Sequence, residues 1–161
     1  CFRNREERVD RGGHLTSDCR GNLRILHGQL QKKHKGLHLR HGCEPEMMWL
    51  KKGADGLPDG GFSKPNCYHI DQFEKLRPVF LRVIEYAQAM GLDMIQGDHE
   101  DAPGQLERNF MFDDCLRTSD RLTTYRQICA QVAREFDLIA CFMPKPFMGV
   151  SASGCHHNLS L

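Results

Sequence analysis

No stretch of the 161 residues stays apolar for the roughly 20 positions that a membrane-spanning helix requires. The start, Cys1-Phe2-Arg3-Asn4-Arg5-Glu6-Glu7, has no apolar signal-peptide core either, so the sequence points to a cytosolic protein without a membrane role. The eight cysteines never form a Cys-x-x-Cys pair. That spacing excludes a zinc ribbon and a thioredoxin motif and suits reduced cysteines that act as small apolar side chains. No Gly-x-x-x-x-Gly-Lys-Ser/Thr run is present, which excludes a P-loop nucleotide site. Repeats and low-complexity segments are also missing.

What is there has the profile of an ordinary globular chain, with 40% hydrophobic residues and 22 Lys+Arg against 21 Asp+Glu. At this length folding buries roughly 70% of the surface that the unfolded chain exposes, enough for a core without disulfide staples. The charge is uneven. Residues 1–40 carry ten Lys/Arg and four acids, which leaves 12 basic and 17 acidic residues for the rest. Phe2 is the only aromatic among those forty, so the basic stretch lacks the stacking residues of a nucleic-acid surface and reads as a solvated helix face. A chain that opens on Cys1 rather than Met, and whose last strand has nothing after it to pair with, is expected to be a fragment cut at both ends.

Helical and strand periods alternate along the chain. Ser17 or Asp18 is placed to cap a helix carrying Leu23, Leu26 and Leu30, with Gly36 as its stop. Leu37–Leu50 reads as a strand and the Gly-rich Lys51–Lys64 as a loop. Phe80, Val83, Ile84, Ala87 and Met90 predict a helix from Arg77 to Gly91, with Pro78 in its first turn. Leu92–Glu100 and Gln105–Phe112 read as strands around a turn at Asp101–Gly104. Thr118 or Ser119 is expected to cap a helix bearing Leu122, Tyr125, Cys129, Val132, Ala133 and Phe136, before a strand at Leu138–Met143 that Pro144-Lys145-Pro146 stops. The expected fold class is α+β, with helices backing one face of a largely antiparallel sheet.

The other face carries the polar chemistry. The period of two sends Glu44 and Glu46 to the same side, about 7 Å apart, which suits either a solvated strand edge or a ligand pair. Ala102-Pro103-Gly104-Gln105 matches a type II turn, and pairing Ala102 with Gln105 sets Glu100 directly against Glu107. Like charges so placed repel, unless a cation or a shared proton relieves them or the hairpin splays into water. On the last strand His156 and Asn158 share one face, and His157, Leu159 and Leu161 the other. Four glutamates and a histidine are an oxygen-rich set suited to Mg²⁺ or Mn²⁺ and to phosphoryl transfer.

Gly42-Cys43-Glu44-Pro45-Glu46, His99-Glu100-Asp101-Ala102-Pro103-Gly104-Gln105-Leu106-Glu107, Cys141-Phe142-Met143-Pro144-Lys145-Pro146 and Ser153-Gly154-Cys155-His156 stand in the order and spacing of glutamine synthetase. The sequence resembles that family from about Arg8 onward, and the hairpin is most similar to its bacterial type III or class T branch, close to γ-glutamylmethylamide synthetases. The resemblance implies a curved half-barrel sheet with helices outside. Residues 1–16 would be the exit from an N-terminal β-grasp domain, and 17–161 the N-terminal part of the catalytic domain. It implies two Mg²⁺ or Mn²⁺ sites, with a third accompanying ATP. Glu46, Glu100 and Glu107 are expected to hold one metal, and Glu44 and His156 the other. Glu100 is also expected to hold an ammonium ion and take its proton. Ser151, Ala152 and His156 are expected at the substrate, and Phe112 and Asn158 at the nucleotide.

The implied reaction is attack of glutamate's γ-carboxylate on ATP, giving γ-glutamyl phosphate that ammonia or a small alkylamine displaces. It would run in a homo-oligomeric double ring, with the 161-residue piece alone inactive. A non-catalytic protein of the same fold is the third reading. Departures from the family pattern bear on the substrate: Ser151-Ala152 stands for Asn-Gly, Asn158 for a second histidine, and Cys67, beside Tyr68, for a tyrosine near the ammonia pocket.

Overall fold

The computed structural model describes residues 17–55, 58–59 and 67–161. The expected β-grasp exit and half of the expected Lys51–Lys64 loop lie outside these residues; of its described half, Lys51–Lys52 and Pro58–Asp59 are strand rather than loop. Along the chain run α1 (Cys19–Lys33), β1 (Arg40–Lys52), β2 (Pro58–Asp59), α2 (Ile70–Lys75), α3 (Arg77–Ala89), β3 (Met94–His99), β4 (Gln105–Phe110), β5 (Asp113–Asp114), α4 (Cys115–Glu135), β6 (Leu138–Cys141) and β7 (Cys155–Ser160). The fold is α+β, as expected, and every strand pairing among these elements is antiparallel.

β1 is the spine of the sheet because it is long enough to pair on both edges at once. Met48 pairs with Gln105 of β4 and with Cys141 of β6, so these neighbours lie on opposite sides of it. The N–H of Glu46 bonds Gly154 O on the β7 side, and that of Trp49 bonds Gly104 O on the β4 side. Pro45 is tolerated in this central strand because its missing N–H falls on the β4 side between Arg40–His41, paired with β5, and Glu46–Met48, paired with β4. β3 closes the β4 side, and the sheet does not close into a barrel.

The helices cover one face. Met47, Trp49, Leu106 and Phe110 of the sheet pack with Val79, Val83 and Ala87 of α3 and with Tyr125, Cys129, Val132 and Ala133 of α4. On the opposite face a smaller cluster of Met48, Leu50, Ala102 and Cys141 lies with Phe147 and Val150 of the segment that follows β6. The same strand thus alternates between the main core and a second surface, as period-two geometry requires.

Several expectations are corrected. α4 starts at Cys115 rather than after Thr118 or Ser119, because the Asp114 carboxylate accepts from Leu116 N at 2.9 Å and caps it. Thr118 is buried instead, its hydroxyl donating to His41 O at 2.7 Å. A short helix, α2, precedes α3 and was not anticipated. Leu26 is 61% exposed, and the buried positions of α1 are Gly21 and His27. The imidazole of His27 accepts from Leu39 N at 3.2 Å through Nε2, so Nδ1 carries the proton and faces Asp114 Oδ2 at 3.3 Å. The seven described cysteines are free thiols, four of them buried. Among the described residues no helix is long and apolar enough to cross a membrane.

Candidate active site

The acidic face is assembled by sheet register. The hairpin does contain the expected tight turn, with Gly104 at φ 71° and Gln105 N bonding Ala102 O at 3.0 Å. It sits inside a wider loop that closes with Glu100 N on Gln105 O at 2.9 Å. The ladder therefore runs His99↔Leu106 and Asp98↔Glu107, and Glu100 does not face Glu107 as expected. Glu107 faces Asp98 on one side and Glu46 on the other, which makes a row of three carboxylates across β1, β4 and β3. Directly opposed like charges are destabilising in a sheet, and here two such pairs share one member.

Glu100 continues the row one step beyond Asp98. Burial first, then the charges of Glu46, Glu107, Asp98 and Asp101, push its carboxyl up to about 7. Burial and the charges of Glu44, Glu46 and Asp98 likewise raise Glu107, against a hydrogen bond from Asn109 Nδ2 at 2.8 Å that favours its anion. Glu100 in turn raises the Tyr68 phenol. Tyr68, next in sequence to Cys67 and largely exposed, thus lies within the field of the glutamates.

Across the other edge of β1, Glu44 pairs with His156, and their side chains meet at 3.3 Å through Nδ1. Asn158 Nδ2 donates to the second Glu44 oxygen at 3.1 Å. Glu46 is held by Gln105 Nε2 and by Gly154 N, each 3.1 Å from Oε2. A methyl at Gly154 would lie 3.1 Å from Glu46 Oε1 and 3.3 Å from His156 Nε2, so a larger residue there would press both groups out by a few tenths of an ångström. Gln105 also donates to Ala152 O at 3.0 Å and contacts Ser153 Oγ, tying the segment after β6 to the acidic row. The Ser151 hydroxyl donates to Asp101.

Phe112 and Asn158 line one cavity of about 220 Å³ with Arg40, His41, Gly42, Leu159 and Ser160. Arg40 lies over the Phe112 ring, 5.8 Å from its centroid.

The catalytic-domain family of glutamine synthetase matches residues 16–161 of the sequence. The chain belongs to this family. A glutamine synthetase of Rhizobium meliloti is 34% identical over 129 residues, 79% of this chain and 29% of that protein. A glutamate–methylamine ligase of Methyloversatilis universalis is 38% identical over 124 residues, 74% of this chain and 28% of that protein. The solved structure of apo GmaS matches with a TM-score of 0.78 at 32% identity, over 87% of this chain and 33% of that one. Plasmodium falciparum glutamine synthetase matches in fold, with a TM-score of 0.82 at 20% identity over 94% of this chain and 35% of that one. The chain therefore spans about 29% of the length of the first curated relative.

Within the glutamine synthetase framework the sequence singled out Glu44, Glu46, Glu100, Glu107 and His156, and all five lie on the face away from the helices. The donors suit a hard divalent cation: carboxylate oxygens and one imidazole, with no Lys or Arg within ion-pair distance of these glutamates among the described residues. Asp98, Gln105 and Asn109 were missed, although all three follow from period two once the register is known. His27, Asp114 and Cys115 form the one described trio of ligand-type groups whose donor atoms all lie within 4.8 Å of one another. There both His27 nitrogens are engaged and burial raises the Cys115 thiol, so this trio is a structural latch between α1, β1 and α4.

Proposed function

We propose that the protein to which this chain belongs ligates ammonia to the γ-carboxylate of glutamate at the expense of ATP, through γ-glutamyl phosphate. One observation carries the reading: the opposed carboxylates of Glu46, Glu107 and Asp98, next to Glu100 and Glu44, with no Lys or Arg in ion-pair contact with them among the described residues. A row of this kind, half-buried and with Glu107 buried at its centre, is poorly stable by itself and well suited to divalent cations. Bound Mg²⁺ or Mn²⁺, two ions with a third accompanying ATP, would offset negative charge on the phosphates being transferred.

In this reading Glu46, Glu100 and Glu107 hold one cation, and Glu44 and His156 hold the other. Gln105 orients Glu46 through its amide, and Asn109 orients Glu107. Glu100 also holds the ammonium ion and takes its proton. The segment at Ser151 and Ala152 borders glutamate with His156, and the cavity at Phe112 and Asn158 borders the nucleotide. The working enzyme is a cytoplasmic homo-oligomer, a double ring, and the 161-residue chain alone is inactive.

A second reading keeps the chemistry and takes methylamine as nucleophile. It is favoured by the likeness to the glutamate–methylamine ligase and to GmaS. The test is phosphate release from ATP and glutamate by the full-length protein, with ammonia or methylamine added in parallel. Faster turnover with ammonia is expected. Preference for methylamine would select the second reading, and no glutamate-dependent release with either amine would reject both.

A further inference from the structure

Arg108 stands on the helix-facing side of β4, away from the acidic row, and the glutamine synthetase reading gives it no part. It is 3% exposed, and its Nη2 is buried without a hydrogen-bond partner among the described residues. The guanidinium lies 3.6 Å from the ring centroid of Phe80 and 4.9 Å from that of Phe73. Gly97 makes its seat: a methyl there would fall 1.2 Å from Nη1 and 2.4 Å from Cζ. The ring faces return only part of the hydration that a buried cation loses, and the hydrogen bonds lost at Nη2 are not returned.

A cavity of about 190 Å³ opens beside it, lined by Arg108, Gly97 and Phe80 together with Ile84, Met94, Ile95 and Gln96. Arg108 is the only charged group in that lining, and most of the rest is apolar. One guanidinium with an unpartnered Nη2 matches a small monoanion, whereas a phosphate or nucleotide calls for several donors and more room. We propose that this cavity binds a monocarboxylate with a compact apolar body, its carboxylate on Arg108 and its body against Ile84, Met94 and Ile95.

The test is titration of the 161-residue chain with isovalerate, read by calorimetry and by amide shifts, with isovaleramide and inorganic phosphate as controls. Binding by isovalerate alone is expected, with shifts centred on Gly97, Ile84 and Ile95. Arg108→Met removes a buried charge and keeps the volume, so the fold is retained while affinity falls on the order of tenfold to a hundredfold. Gly97→Ala, which displaces the guanidinium from its seat, should give a comparable loss with Arg108 still present. Ile95→Ser, at an exposed strand position, should weaken isovalerate and leave the fold unchanged. The proposal is overturned by silence in the isovalerate titration, by equal binding of phosphate or isovaleramide, by shifts confined to β7 and the acidic row, or by binding that survives Arg108→Met.

Discussion

Glu107 has the least room of the acidic side chains. It is 9% exposed, faces Glu46 and Asp98 in the ladder, and keeps one compensating bond from Asn109. Replacing it with glutamine retains an acceptor for Asn109 and removes the charge. In chelator, Glu107→Gln should stabilise the protein by about 1 kcal/mol, read as a melting temperature higher by roughly 2–4 °C. In the full-length protein the same change should weaken Mn²⁺ roughly tenfold or more by calorimetry, since even groups that only orient a ligand commonly cost that much. Unchanged metal affinity would remove Glu107 from the ligand set. Glu100 supplies the pH signature. Its folded carboxyl titrates above the unfolded one, so the folded state binds the extra proton: the associated stability is complete below about pH 4.5 and lost as pH rises through about 7. Side-chain carbon NMR in chelator should therefore find a carboxyl titrating near 7, and a midpoint near 4.5 would refute the crowding.

Register and capping decided which elements were legible before the fold was known. Pro78, the Val83 and Ala87 stripe and the Tyr125, Cys129 and Val132 stripe located α3 and α4, because their apolar periods are long and unbroken. The acidic face was also legible, because period two alone puts Glu44 with Glu46 and His156 with Asn158. The pairing partner of Glu107 was not. A type II turn reads the same whether it closes the hairpin or sits inside a four-residue loop, and only the bond from Glu100 N to Gln105 O distinguishes them. Likewise nothing local distinguishes Asp114 from Thr118 as a cap. His27 is a case of tertiary context overriding pattern: the leucines of α1 suggested its buried face, yet the imidazole ties that helix to β1 and α4. His27→Ala leaves the Leu39 N–H and the Asp114 carboxylate each short of a partner. A loss of about 1–3 kcal/mol is expected in urea unfolding, with faster hydrogen exchange at Leu39. Full protection at Leu39 would mean that the latch carries no load.

Adjacent residues of β1 serve opposite surfaces, and this divides stability from chemistry across the protein. Met47 is fully buried in the cluster beneath α3 and α4, whereas Glu46, one position earlier, points at Gln105, Gly154 and the acidic row. The helical layer contributes apolar burial, while the acidic row works against folding and is retained in spite of its repulsion. Substitutions at the two positions should therefore separate cleanly. Met47→Ala opens a cavity in a close-packed core and should cost about 2–5 kcal/mol in chemical unfolding, with Mn²⁺ affinity of the full-length protein unchanged under folding conditions. Glu46→Gln keeps the volume and relieves one opposed pair, so it should leave stability equal or higher while weakening Mn²⁺. If both changes moved stability and metal affinity in the same direction, the two faces would be energetically coupled, and the assignment of chemistry to one face of the sheet would fail.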